Sequence, residues 1–156
     1  DLKNINLKKL IINSLKIKKK FIEIDEFDKK ERLVLNYGHT FGHAIEKLTL
    51  MPHGISVAFG MDIANYISHK SKLLKTAEYN EMKRTSDIIL KKYKLPNINI
   101  NNFINLLKKD KKSTKGKIRV ILSGGIGNMF LSEIQNLNKF KKDIKNYFKI
   151  NRMQHS

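Results

Sequence analysis

Apolar residues recur at helical spacing through most of this chain. From Leu7 to Ile24 the apolar positions Leu10, Ile11, Leu15, Ile17, Phe21, Ile22 and Ile24 are mixed with Lys, which predicts an amphipathic helix. Asp25-Glu26-Phe27-Asp28 interrupts the pattern, and Asp28 is placed to cap a second helix from Lys30 to Leu48. Pro52 precedes a third helix, His53 to Leu74. A fourth runs from Thr76 to Tyr93, before Leu95-Pro96 ends it. A short helix fits Asn102 to Lys108, and Lys109 to Lys117 reads as a polar loop. Ile118 to Leu122 is the best strand, Ser123 to Asn128 is turn chemistry, and Met129-Phe130-Leu131 can return as a hairpin partner. A last helix is predicted from Ser132 to Phe148, with 151–156 as a tail. The fold class is mainly α: a helical bundle-like domain over 1–150 with one small β-hairpin near the C-terminus.

Composition narrows the class. The chain has 156 residues, 40% hydrophobic and 29% charged, which fits one globular domain and excludes a disordered one. No Cys is present, so disulfides, thiolate metal ligands and Cys nucleophiles are excluded. There is neither an apolar run of membrane-spanning length nor a secretory leader pattern, so the expected compartment is cytoplasmic, with no membrane partner. The net charge of +18 invites a nucleic-acid reading. The cations argue against it: 28 are Lys and 4 are Arg, and no aromatics interleave with the basic runs. The charge reads as a solvated Lys-rich surface, and no nucleic-acid partner is expected.

Where Lys is missing is more informative. From Glu31 to His69 there is one Lys, Lys47, and this stretch holds four of the five His residues. On the predicted second helix, Arg32, Asn36, His39 and His43 fall within about 60° of arc, opposite Val34, Tyr37, Phe41, Ala44, Ile45 and Leu48. Gly38 and Gly42 line a flank where another backbone can approach closely. In so Lys-rich a chain, a merely wet face would carry Lys. His39 and His43 have the i, i+4 spacing that brings two imidazoles to one metal, without the Glu of a zinc-protease HExxH motif. His53 starts the third helix, where an antiparallel turn from Glu46 to Pro52 brings it beside them. All three are candidate ligands. Gly54, Ser56, Ala58, Gly60, Ala64 and Ser68 make the third helix a packed interior one.

The run Arg32-Leu33-Val34-Leu35-Asn36-Tyr37-Gly38-His39-Thr40-Phe41-Gly42-His43-Ala44-Ile45-Glu46 closely resembles the R-x-x-L-N-x-G-H-T-x-G-H-A-I-E signature of the 3-dehydroquinate synthase family. Pro52-His53-Gly54 with Val57-Ala58-Phe59-Gly60-Met61 resembles the family's next segment. Asp110-Lys111-Lys112, Gly116-Lys117-Ile118-Arg119 and Ile126-Gly127 resemble its late pattern. The resemblance implies that this chain is the C-terminal, metal- and substrate-binding half, with an N-terminal NAD-binding domain absent from it, so that the chain alone is inactive. It implies a zinc (or cobalt) ion held by His39, His53 and a Glu from the missing half, with His43 facing substrate instead. It places Lys18 and Arg32 on the substrate carboxylate, and Asn36, His43 and one of Lys111 or Lys112 near its phosphate. Asp28 occupies an acidic catalytic position.

The implied activity is a lyase of the shikimate pathway, serving aromatic amino acid biosynthesis. It converts 3-deoxy-D-arabino-heptulosonate 7-phosphate to 3-dehydroquinate plus phosphate. The route is transient oxidation by NAD, phosphate elimination, re-reduction and intramolecular aldol closure. The family implies a homodimer. Three departures stand out: Ile55 and Asp28 each replace a usual Glu, and the interval from His43 to His53 is shorter. They leave two alternatives: a related cyclase acting on a different sugar phosphate, and a non-catalytic helical binding module.

Overall fold

The computed structural model describes residues 6–27, 31–109 and 117–153, with residues 152 and 153 described by their backbone only. Asp28, Lys111 and Lys112 therefore lie outside the described residues. The chain divides into two compact units, Asp1–Leu35 and Asn36–Ser156.

The first unit is dominated by α1, Leu7–Ile24, started by Asn6, whose side chain accepts a hydrogen bond from the Lys9 amide at 3.0 Å. None of α1 is buried. A 3-10 helix, Glu31–Asn36, closes the unit and crosses into the next. Arg32 is fixed here by its amide on Asp25 Oδ2 at 3.1 Å and by Nη1 on the Glu26 carbonyl at 2.8 Å.

The second unit holds α2 (His39–Thr49), α3 (His53–Lys70), α4 (Thr76–Leu90), α5 (Ile100–Lys109), β1 (Arg119–Gly125), β2 (Asn128–Glu133) and α6 (Leu137–Met153). The predicted helix from Lys30 to Leu48 is thus two elements. Gly38 breaks it with φ +78°, and a Cβ there would sit 2.8 Å from the Val57 carbonyl oxygen. Only glycine accepts both the left-handed backbone and the crowding. The third helix stops at Lys70 rather than Leu74, because Lys72 turns left-handed at φ 60°. The last helix starts later than predicted, since β2 runs on to Glu133 and Asn136 caps α6 through the Lys139 amide at 2.9 Å. It also continues to Met153, and Asn151, read as tail, is buried.

α3 is buried along most of its length and packs against α2, α4, α6 and β1. Its Ile63 and Ile67 join Phe41 and Ile45 of α2, Phe103 and Leu107 of α5, Val120 and Leu122 of β1, and Ile144 and Phe148 of α6 in one core. β1 and β2 pair antiparallel from Arg119↔Glu133 to Gly125↔Asn128, with a bulge between Ser123 and Gly125. Ser68 pins this hairpin to α3: its Oγ accepts the Ser123 amide at 2.9 Å and donates to the Ala64 carbonyl at 2.7 Å. Beside the apolar core, Asp62 Oδ2 accepts from Lys83 Nζ at 2.8 Å and from the Tyr147 hydroxyl at 2.7 Å, tying α3 to α4 and α6.

Candidate metal centre

The centre is built on α2 and α3, which run antiparallel and are joined by Leu50-Met51-Pro52 alone. Their backbones touch. A Cβ on Gly42 would lie 2.8 Å from Val57 Cα, and one on Gly60 would lie 2.7 Å from Gly42 N and closer still to the Gly38 carbonyl. Glycines facing each other across the pair set a fixed inter-helix distance that no side chain can adjust. The turn is equally defined: Leu50 adopts φ 57° and its amide donates to the Glu46 carbonyl at 2.9 Å.

On this frame His39 opens α2, His43 lies one turn on, and His53 opens α3. Phe41, Ala44 and Ile45 face the core from the opposite side of α2. The three imidazoles form a near-equilateral triangle, with ring centroids 5.6 Å apart for His39–His43 and 5.7 Å for both pairs with His53. Glu46, one further turn along α2, brings Oε2 to 3.1 Å from His53 Nδ1. Donor atoms of His43, Glu46 and His53 all lie within 4.8 Å of one another. His43 and His53 are exposed, while His39 and Glu46 are half-buried.

Two contacts fix how the rings present their nitrogens. His39 Nδ1 lies 3.3 Å from the Tyr37 carbonyl, and His53 Nδ1 faces the Glu46 carboxylate. Both partners are acceptors, so each Nδ1 carries the proton in the neutral ring and each Nε2 keeps its lone pair. Neutral imidazoles with an outer partner on the second nitrogen are the usual state of metal-bound histidine. Nitrogen and oxygen donors without thiolate suit zinc or cobalt. The residues fit a divalent ion of that kind.

His39, His43 and His53 are brought together as their spacing predicts. Asn36, half-buried, ends the 3-10 helix three residues before His39. Lys18, exposed on α1, and Arg32 belong to the first unit. Glu46 was absent from the sequence-predicted site. Its signal was there: a carboxylate at i+3 from His43 shares that helix face. Below the site, the Tyr37 hydroxyl donates to the Asn65 amide oxygen, and burial raises the Tyr37 phenol pKa well above its ordinary value.

Residues 1–113 match the family described as 3-dehydroquinate synthase C-terminal. The 3-dehydroquinate synthase of Syntrophotalea carbinolica is 35% identical over 121 residues, covering 76% of this chain and 33% of the relative. That of Dictyoglomus thermophilum is 38% identical over 143 residues, covering 88% of this chain and 38% of the relative. The chain therefore matches about a third of the length of these curated relatives. In fold it resembles a 2-deoxy-scyllo-inosose synthase solved with carbaglucose-6-phosphate, NAD+ and Co2+. The TM-score is 0.65 at 24% identity, over 80% of this chain and 36% of that one. The matched residues run from α1 through α5 and include the whole histidine-bearing helix pair, so the chain belongs to the 3-dehydroquinate synthase C-terminal family.

Proposed function

We propose that this chain is the metal- and substrate-binding part of a 3-dehydroquinate synthase. The enzyme would be a homodimeric, cytoplasmic lyase releasing phosphate from 3-deoxy-D-arabino-heptulosonate 7-phosphate. The observation that carries the reading is the histidine triangle on a backbone-contact helix pair, within the family's own signature stretch. Among the described residues no helix is long and apolar enough to cross a membrane.

His39 and His53 would hold the ion, their Nε2 atoms being left available because their Nδ1 atoms face acceptors. When bound, a zinc or cobalt ion supplies Lewis-acid polarisation of a substrate oxygen. His43, exposed and 5.6–5.7 Å from both rings by centroid, faces substrate and can move a proton there. Arg32 offers a planar fork to a carboxylate, with one of its five N–H groups committed to the Glu26 carbonyl. Lys18, Asn36, Lys111 and Lys112 complete the expected substrate contacts, and Asp28 the acidic position. Among the described residues the sheet is two-stranded and antiparallel, and no NAD contact is assigned to them. NAD belongs to the part of the enzyme outside this chain.

A second reading, a cyclase of the same kind acting on another sugar phosphate, is supported by Ile55 in place of the usual Glu and by the fold likeness to 2-deoxy-scyllo-inosose synthase. One experiment separates them. This chain would replace the matching C-terminal third of the Dictyoglomus thermophilum enzyme, and phosphate release would be followed with NAD and zinc. Turnover of the heptulosonate phosphate, lost with chelator and in His39→Ala, is expected. A chimera that binds zinc and NAD but turns over only glucose 6-phosphate would replace the first reading with the second. A chimera that binds neither would leave a non-catalytic helical module.

A further inference from the structure

Glu46 is the one acidic side chain among the described residues whose carboxylate reaches an imidazole of the triangle at hydrogen-bond distance. We propose that Glu46 is a positioning residue of the metal centre: its carboxylate holds His53 in the Nδ1–H tautomer and aims the Nε2 lone pair at the cation. This rests on the reading of His39 and His53 as metal ligands.

A carboxylate only accepts, so the 3.1 Å contact requires the proton on Nδ1. Neutral histidine in water favours the opposite tautomer, with the proton on Nε2, which would block the ligating atom. The backbone carbonyl of Tyr37 does the same service for His39 at 3.3 Å, so both rings are set by acceptors outside the triangle. Glu46 is itself well placed to act. Its carbonyl takes the Leu50 amide that starts the turn, so one residue sets the chain reversal through its backbone and the ring orientation through its side chain. Glu46 also lies within reach of His43, so the competing role is direct ligation of the ion.

The test uses the chimera described above, which supplies the N-terminal part with its expected third ligand, and zinc or cobalt alone. In the metal-free chimera, nitrogen-15 histidine spectra should report the Nδ1–H tautomer at His53. Glu46→Ala should convert it toward Nε2–H, whereas Glu46→Gln, which keeps an acceptor oxygen, should largely preserve it. Zinc affinity, read by competition with a chromophoric chelator, should fall about 10- to 100-fold in Glu46→Ala and less in Glu46→Gln. The visible bands of the cobalt-loaded chimera should keep their positions in Glu46→Gln. A shifted cobalt spectrum in Glu46→Gln would make Glu46 a ligand and overturn the positioning role. An Ala variant with parental tautomer and parental affinity would overturn it too, leaving the metal centre intact. A parental chimera that takes up no zinc would overturn the metal-site reading itself, and this inference with it.

Discussion

The inter-helix spacing that carries the histidines depends on Gly60. A Cβ added there lies 2.7 Å from Gly42 N, about 0.7 Å short of ordinary contact at 3.4 Å, and meets the Gly38 carbonyl more closely still. Both obstacles are backbone atoms, so no rotamer change relieves them and α2 and α3 must separate. Overpacking of a well-packed core costs about 1–3 kcal/mol, and a rigid double clash puts Gly60→Ala at the upper end, about 3 kcal/mol. For a unit of this size that is a fall of roughly 10–15 °C in melting midpoint. Gly54 is the internal control. It lies in the same helix, and a Cβ there meets nothing within 4 Å. Replacing helical Gly by Ala at such a site raises stability by up to about 1 kcal/mol. Thermal melts by circular dichroism of the two variants should therefore move in opposite directions. If Gly60→Ala melts within about 2 °C of the parent, α2 and α3 are not in backbone contact, and the argument for a fixed histidine triangle collapses.

Three further outcomes follow from the interior of the second unit. Asp62→Ala takes the acceptor from the buried Tyr147 hydroxyl and leaves Lys83 to Asp87 and Asn151, and should cost about 1–3 kcal/mol in urea unfolding, beyond a surface Asp→Ala. Burial, then the adjacent Asp62 carboxylate, raises the Tyr147 pKa well above its ordinary value of 10, while Tyr79 is pushed up to about 12 by burial and Asp62. The folded state then keeps protons that the unfolded chain loses, so this stability is intact below pH 10 and declines as pH rises above it. Tyr147→Phe should flatten that alkaline decline in urea midpoints between pH 9 and 11, and an unchanged slope would contradict the assignment. Ser68→Ala removes the acceptor for the buried Ser123 amide, costs about 1–3 kcal/mol and should selectively speed hydrogen exchange at Ser123.

Much of this was legible in the chain itself. The near-absence of Lys from Glu31 to His69 marked the stretch that carries the candidate site, and the small residues of the third helix marked an element buried on most sides. Gly38 and Gly42 were readable as a flank for close approach, and α3 does lie against them. The continuous stripe from Arg32 to His43 was not real, because periodicity assumes one unbroken helix. What breaks it is the crowding of Gly38 by Val57 and Met61, some twenty residues away, which no local pattern reports. Asp62 was equally opaque: a carboxylate inside an apolar helix becomes intelligible only beside Lys83 and Tyr147. Glu46 stood within the recognised run of residues, yet its role appears only once the turn folds His53 back to it.

The three-residue connection between α2 and α3 has a thermodynamic consequence. Ligands on two helices joined so tightly are already near their bound separation, so little chain entropy remains to be lost when a cation arrives. An ion that bound only the paired helices would raise the cost of prising them apart by an amount that grows with the logarithm of its free concentration over its Kd. Under the proposed metal reading, metal availability would become a folding variable for the buried centre of the second unit, since α3 is the element on which α4, α6 and the hairpin all rest.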